Sequence, residues 1–291
     1  MILSALVILS VAMLSVVAKA GNRKVLLVSD IDDTIKVSHV LSTAGKVTRS
    51  VNFTVPFTGM SQLYQLIINQ NINSTHTAYI SNAPKLIAGE PVMRISHEAF
   101  LSYNHFPKGD LLLRDSLLEK NHKIKTIRQL VESMKPELVI LIGDNGERDI
   151  EIYDQATKEL SHLGIQTQTY IHQLYSSKSL IHDVSQALLP DLITNNLPIE
   201  LGQMILPGQV GFVTPIEIAL DLKNKNLLDQ FSLDWMINKI APVILNEDYF
   251  DIDTLGSVTF PSFKNCTDFK WTSNIPYGLN KFSEKMNKKC R

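Results

Sequence analysis

The sequence has no excess of either charge. Its 291 residues include 28 Lys and Arg against 29 Asp and Glu, giving a formal net charge of -1. A protein that binds nucleic acid needs a basic face to neutralise phosphates, and no block of basic residues supplies one here. The balance therefore argues against nucleic acid as a partner. With 44% hydrophobic residues, the chain can bury a full core in one large domain or two smaller ones.

Cysteine is scarce as well. The chain has two cysteines, Cys266 and Cys290, and no CxxC or Cys/His spacing typical of a zinc site. In an oxidising compartment the pair would close a loop of about 25 residues and stabilise the fold by about 3 kcal/mol. Two unrelated thiols are the alternative, so the outcome depends on where the protein is located.

The first twenty residues contain no charge before Lys19. A long apolar run that ends in Ala18-Lys19-Ala20 is typical of a secretory signal peptide. We therefore expect residues 1–20 to be removed before Gly21 and the mature protein to be exported, either secreted or periplasmic. The alternative is an uncleaved anchor, since about 18 apolar residues are marginally enough to span a bilayer.

Strand and helix patterns alternate from Arg23 to about Tyr175. Apolar runs rich in β-branched residues predict buried strands, and segments of 10–15 residues with helical periodicity separate them. This order predicts an α/β fold, a Rossmann-like parallel sheet with helices on both faces and without a large cap, over residues 21–178. The predicted strands are 24–29, 75–81, 109–115, 137–144 and 165–174, and the predicted helices are 58–71, 96–106, 122–134 and 151–164.

The pattern changes after Tyr175. Residues 179–291 are predicted to form a mainly helical accessory segment that packs on the α/β domain, with irregular stretches between helices. One helix start is well marked: Thr214 as N-cap, Pro215 in the first turn and Glu217 three residues after the cap make a capping box. The function of this segment does not follow from its sequence.

Two acidic clusters come directly after predicted strands. Asp30, Asp32 and Asp33 follow the first strand, and Asp144 and Asp149 lie in the sequence GDNGERD after the strand at 137–144. The carboxyl ends of parallel strands meet at one edge of the sheet, where ligands bind. Crowded carboxylates repel one another, so a cation is needed to offset the charge.

These residue types match the requirements of phosphoryl transfer. An aspartate such as Asp30 is a nucleophile, and a second acid such as Asp32 transfers protons. Further carboxylates hold a hard cation such as Mg²⁺. Hydroxyl and ammonium donors, supplied by Ser81 at the end of the second strand and by Lys123, neutralise phosphate oxygens.

The same motifs carry a family resemblance. D-x-D-x-T, then Ser after the next strand, then Lys, then G-D-x-x-x-x-D resembles the four motifs of haloacid-dehalogenase superfamily phosphatases. Within that superfamily, the chain more closely resembles the actin-patch-type, lipin-like phosphatidate phosphatases. The segments that carry this resemblance are "SDIDDTIK", "YISNAP", "FPKGDLLLRD", "HKIKTI" and "LIGDNGERDIEIY". Relatives include the lipid-sensing domain of some phosphatidylinositol-transfer proteins. The resemblance covers about residues 24–175.

Site roles follow from the resemblance, position by position. It implies that Asp30 is the nucleophile and a Mg²⁺ ligand, and that Asp32 is the general acid/base and binds the metal through its backbone carbonyl. Ser81 would bind a phosphate oxygen and Lys123 would neutralise the phosphoryl group, with Lys125 as the competing lysine. The metal site would be completed by Asp144, with Asp149 as a water-mediated ligand or a supporting residue.

The resemblance also implies a substrate. It indicates a Mg²⁺-dependent phosphatidate phosphatase that uses an aspartyl-phosphate, with a lipid phosphate at a membrane surface as substrate. The alternatives are a phosphatase for soluble or protein phosphomonoesters and a phosphatidate-binding module without turnover; the presence of Asp32 argues for catalysis.

Several other polar residues near these motifs are expected to have ordinary roles. Asp33 is expected only to shape the turn. Four scattered histidines are expected to be surface or satisfied side chains, and four basic residues are expected to be solvated charges. The histidines are His39, His97, His105 and His122, and the basic residues are Lys36, Lys85, Lys108 and Arg114.

Overall fold

A computed structural model describes most of the α/β region and part of the C-terminal segment. The described residues are 23–38, 55–71, 74–116, 118–119, 121–173 and 205–246, with short pieces at 254–255, 258–259, 282 and 284. The predicted signal peptide and both cysteines lie outside these residues. Within the described part of the chain, no helix is long and apolar enough to cross a membrane.

Six parallel strands form one open sheet in the order β3-β2-β1-β4-β5-β6. The strand order runs in opposite directions on the two sides of the β1–β4 pair, which makes this pair the switch point of the sheet. The strands are β1 Val25–Ser29, β2 Thr75–Pro84, β3 Asp110–Arg114, β4 Leu138–Asp144, β5 Gln166–His172 and β6 Gln209–Phe212. A separate two-stranded piece pairs β7 Thr254–Leu255 with β8 Val258–Thr259.

Helices cover both faces of the sheet, which is why β1 and β4 read as continuous apolar runs and are buried throughout. On one face, the core contains Tyr64 and Ile67 from α1 and Ile216 from α5. On the other, Ile127 from α3 and Tyr153 from α4 pack on the strands. The helices are α1 Met60–Gln70, α2 Val92–Tyr103, α3 His122–Met134, α4 Asp149–His162, α5 Pro215–Asn224, α6 Gln230–Trp235 and α7 Ala241–Asn246, with a π-helical turn, Met236–Ile240, between the last two.

The predicted α/β class, the parallel sheet and the helical elements of the C-terminal segment are confirmed. One expectation is wrong: the sheet does not end with the predicted strand 165–174, because β6 pairs in parallel with β5. β6 has four residues and contains Gly211, so it lacks the long apolar run by which the other strands were recognised. The capping box at Thr214 is present and directs α5 back onto the sheet.

The helix predicted at 96–106 is also shifted. α2 begins at Val92 and ends at Tyr103. Pro91 precedes its first residue, and proline is tolerated at a helix start because the first amides have no partner inside the helix. The earlier start adds one turn, and that turn presents Val92 and Ile95 to solvent.

Candidate active site

The two acidic clusters meet at the switch point of the sheet. β1 and β4 are adjacent, and the amide of Asp30 continues their pairing by donating to the carbonyl of Ile142 at 2.9 Å. Asp144 is the last residue of β4. The loops that follow the two strands therefore leave the same edge side by side, as the sequence predicted.

Three buried carboxylates form the centre of the site. Oxygens of Asp30, Asp144 and Asp149 all lie within 4.8 Å of one another. The ammonium of Lys123 reaches into this cluster, 2.7 Å from Asp30 Oδ1 and 2.5 Å from Asp149 Oδ1. Lys123 was preferred over Lys125 on sequence, and the geometry agrees: Lys125 is 60% exposed and lies 3.5 Å from Glu119.

Helix ends and one glycine position these side chains. Lys123 is the second residue of α3 and Asp149 is the first residue of α4, so both helices begin at the edge where the strands end. Gly143, next to Asp144 in β4, lets Asp149 approach the strand: a Cβ at this position would collide with the Asp149 carboxylate and the Tyr153 ring. Position 143 must therefore lack a side chain for the cluster to form.

Burial and mutual repulsion disturb the charges of the cluster. Burial raises the pKa of Asp30 well above its usual value, and the adjacent Lys123 opposes this only in part. Burial, with the charges of Asp149 and Asp30, likewise raises the pKa of Asp144. Burial raises the pKa of Asp149 as well. Burial lowers the pKa of Lys123, but the carboxylates outweigh it, so this ammonium stays charged.

The residues fit a divalent cation. One ammonium faces three buried carboxylates, and Asp149 Oδ2 is buried without a hydrogen-bond partner among the described residues. Other oxygens of the cluster are held by Thr34 Oγ1, 3.1 Å from Asp30 Oδ2, and by the Gly146 amide, 2.6 Å from Asp144 Oδ1. Carboxylate oxygens are the ligands that hard cations prefer. The buried aspartate triad is thus able to bind a metal ion.

Asp32 lies outside the triad, in a polar environment of its own. Ser38 Oγ donates to Asp32 Oδ1 at 2.6 Å, and Lys36 Nζ lies 3.6 Å from the same oxygen. His97 Nε2 lies 3.4 Å from Asp32 Oδ2. Burial raises the pKa of Asp32, but the charges of His97 and Lys36 and the Ser38 hydrogen bond outweigh it, so its pKa is below the usual value. The Asp32 carboxylate is not part of the triad, and metal binding through its backbone carbonyl stays a prediction.

His97 was missed as a site residue. It is fully buried on α2, whereas a surface or satisfied histidine was expected, and neither ring nitrogen has a hydrogen bond within the described part of the chain. Its contact with Asp32 does not have hydrogen-bond geometry. A signal was present: His97 falls between Met93 and Phe100 at helical spacing, on the buried face of α2.

The structure also corrects the interpretation of Lys36 and the half-buried Arg114 as solvated charges. Lys36 is fully buried beside Asp32. Burial lowers the pKa of Arg114, which Glu147 and Glu119 oppose. His122, expected to be at the surface or satisfied, is buried, and its Nε2 is 3.2 Å from the Leu112 carbonyl. Lys85 also has a charged partner, since its Nζ lies 2.5 Å from Asp115 Oδ1.

Asp33 shapes the loop that directly follows Asp30 and Asp32. Its backbone has φ 61°, and its Oδ1 accepts the Ser38 amide at 2.8 Å. The carbonyl of Asp33 accepts from the buried His172 ring at 3.0 Å, which ties the loop to the end of β5. The prediction that Asp33 serves the turn is confirmed by these bonds.

Ser81 lies on the strand next to β1. Residues 25–29 of β1 pair with 75–79 of β2, so Ser81 is placed beside the loop that carries Asp30 and Asp32. The register of β2 shifts between Ser81 and Pro84, and Ser81 Oγ accepts the Ala83 amide at 3.0 Å. Asn82 donates to Glu147 at 2.7 Å and joins the β2 end to the second acidic loop. The phosphate-binding role of Ser81 stays a prediction.

A parallel α/β sheet with a buried carboxylate cluster and a lysine at its switch point defines an enzyme equipped for phosphoryl transfer. The comparison with protein families identifies which one: residues 25–164 match the family described as phosphatidate phosphatase APP1, catalytic domain. This part of the chain is a phosphatidate phosphatase-like catalytic domain, which makes the protein a phosphoric monoester hydrolase. No curated protein matches the chain in sequence.

Proposed function

We propose that the chain is a Mg²⁺-dependent phosphatidate phosphatase that acts through an aspartyl-phosphate on Asp30. The observation that carries the proposal is the position of Asp30 in the site. One of its oxygens contacts Lys123 and the other contacts Thr34, at the edge of the triad with Asp144 and Asp149. The matched family adds the substrate class, a lipid phosphate.

Asp30 attacks phosphorus and the ester P–O bond breaks, which leaves the phosphoryl group on the carboxylate. Lys123 supports this step because its ammonium favours the ionised form of Asp30 and offsets part of the effect of burial on the pKa of this carboxyl. A water then attacks the same phosphorus, and inorganic phosphate leaves while Asp30 is restored. Both halves need a proton to be moved, first to the leaving oxygen and then from the attacking water.

Asp32 is suited to move that proton. It lies two residues beyond Asp30 but its carboxylate is outside the triad, with 16% of the side chain exposed. Ser38, Lys36 and His97 hold it from the protein side. In the free enzyme these neighbours favour the ionised form, which accepts a proton from water. The negative charge of a bound phosphate acts in the opposite direction and favours the protonated form, which donates to the leaving oxygen.

The cation is held by side chains of Asp30, Asp144 and Asp149 in this proposal, with the Asp32 carbonyl as a further ligand. When bound, Mg²⁺ offsets the negative charge of the phosphoryl oxygens and of the carboxylates. Lys123, which contacts both Asp30 and Asp149, supplies a second positive charge to the cluster.

The test is release of inorganic phosphate from phosphatidate vesicles and from soluble phosphomonoesters, each with Mg²⁺ and with EDTA. We expect turnover of phosphatidate with Mg²⁺ alone. Asp30→Asn should abolish turnover and keep the fold, whereas Asp154→Asn, on the exposed side of α4 beside Lys158, should keep full activity. No phosphate from any ester with a folded, Mg²⁺-loaded sample contradicts the enzyme; full activity of Asp30→Asn contradicts the nucleophile.

A further inference from the structure

Large apolar side chains are exposed on one side of the active site. Nine large apolar residues are exposed in the described part of the chain, and six of these lie between Leu86 and Leu118. Isolated exposed apolar residues are ordinary, but a concentration beside a site marks an interaction surface. We name five of the six the apolar rim: Leu86, Ile87, Val92, Ile95 and Leu118.

The rim is built from a tight hairpin and the helix that follows it. Ile87 and Glu90 exchange both backbone hydrogen bonds, at 2.8 and 2.9 Å, around Ala88 and Gly89, which have φ 51° and φ 88°. These positive φ values are those of a two-residue hairpin turn. α2 begins two residues after this hairpin, so the exposed Ile87, Val92 and Ile95 lie close together along the chain.

Backbone pairing holds Leu118 near this hairpin. The amide of Lys85 donates to the carbonyl of Arg114 at 2.8 Å, and Lys85 Nζ contacts Asp115 at 2.5 Å. Leu118, three residues after Asp115, is 88% exposed. Glu119 accepts the Asp115 amide at 3.2 Å and closes the loop that presents Leu118.

Each segment of the rim also carries a residue of the site. Ser81 lies near the end of β2 and Leu86 just after it, so at most about 17 Å of extended chain separates them. On α2, His97 faces Asp32 while Ile95, two residues earlier, faces solvent. The loop with Leu118 leads directly into α3 and Lys123. Leu86 and Leu118 follow the carboxyl ends of β2 and β3, and α2 begins near the same end, so the rim lies at the edge of the sheet that carries the site.

We infer that the apolar rim docks the enzyme on a phospholipid bilayer by inserting these side chains among the acyl chains, so that a phosphate ester in that surface reaches Asp30. The inference rests on the proposed function, because a lipid substrate stays in the bilayer and the site must come to it. The charges beside the rim include the Lys85–Asp115 pair and the exposed Glu90, and they provide no basic excess. Docking is thus apolar and insensitive to salt.

Vesicle flotation tests the docking. Uncharged phosphatidylcholine vesicles should bind the wild type, and phosphatidate-containing vesicles should bind it with little dependence on salt. The double variant Ile87→Ser/Ile95→Ser should bind about 100-fold more weakly, about 10-fold for each apolar side chain that no longer inserts. Leu163→Ser is the matched control: Leu163 is 68% exposed, but it follows the C-terminus of α4, at the opposite edge of the sheet.

Activity on two forms of the substrate separates this inference from the proposed function. The double variant should lose activity on phosphatidate in vesicles and keep it on short-chain phosphatidate dissolved below its micellar concentration. Wild-type binding to vesicles by the double variant, or an equal loss in Leu163→Ser, overturns the docking. A wild type that floats with vesicles but hydrolyses neither form retains the docking and contradicts the proposed function.

Discussion

Lys123 Nζ lies 2.5 Å from Asp149 Oδ1, and both side chains are completely buried. The second residue of α3 and the first residue of α4 thus meet in an ion pair, and the same ammonium contacts Asp30. A buried charge that loses its partner is not solvated, so the cost falls on the whole fold. This ion pair is structural as well as electrostatic support for the nucleophile.

Lys123→Met should therefore lower the free energy of unfolding by about 3–5 kcal/mol in the absence of metal, since three buried carboxylates lose their ammonium. Activity should be lost as well. Urea denaturation in EDTA measures the first effect and phosphate release with Mg²⁺ the second. Lys125→Met is the matched control on the same helix. Its exposed contact with Glu119 contributes at most about 1 kcal/mol, and equal effects of the two substitutions would contradict the assignment.

Gly143 in β4 also determines the geometry of the site. Gly143→Ala should cost at least about 1–3 kcal/mol, because the new methyl group forces Asp149 and Tyr153 away from β4. Since Asp149 holds Lys123, activity with Mg²⁺ should fall together with stability. Gly164→Ala is the control: its φ is 71° and nothing lies near the new methyl, so only about 1 kcal/mol of backbone strain is expected and activity should persist. A Gly143→Ala protein that is active and as stable as the wild type would show that Asp149 and Tyr153 do not pack tightly against β4 at Gly143.

The sequence predicted the parts of the site that depend on strand ends. Asp30 and Asp144 were placed correctly because the carboxyl ends of adjacent parallel strands meet at one edge, and Lys123 because it opens α3 beside them. His97 and Lys36 were misjudged because burial of a polar side chain is decided by packing between elements. β6 was missed because a short strand beside a glycine carries little periodicity.

His97 supports Asp32 in our interpretation, and two substitutions separate support from packing. His97→Leu fills the same volume without a polar group, so stability should be unchanged or higher, since neither ring nitrogen has a hydrogen bond in the described structure. kcat should fall by about 10-fold, equivalent to about 1.4 kcal/mol, because Asp32 Oδ2 loses the polar neighbour that lies 3.4 Å away.

His97→Gln, which keeps a donor near the position of Nε2, should recover part of kcat while KM stays constant in both variants. His76→Gln is the control; His76 pairs with Asp110 at the opposite edge of the sheet and should not affect turnover. A loss of kcat that is the same in the Leu and Gln variants, or one that follows a loss of stability, would leave His97 with a packing role only.

Glu217, which lies outside the site, should make the stability of the fold depend on pH. It closes the capping box of α5: its Oε1 accepts the amides of Val213 and Thr214 at 2.9 and 3.1 Å, and Thr214 Oγ1 donates to its Oε2. Burial raises the pKa of Glu217 from 4.5 to about 7, against the hydrogen bonds that lower it. Between these pH values the folded protein holds a proton that the unfolded chain has released.

Stability from this group is therefore present in full below pH 4.5, decreases as the pH rises, and is lost above about pH 7. Glu217→Gln keeps an oxygen for the two amides and cannot ionise. As the pH rises from 4.5 to about 7, the free energy of unfolding of this variant should therefore increase by about 3 kcal/mol relative to that of the wild type. Urea denaturation of both proteins at several pH values measures the difference. The triad carboxylates titrate equally in both and cancel. A constant difference from pH 4 to 8 would mean that folding does not raise the pKa of Glu217, because the three hydrogen bonds to its carboxylate offset its burial.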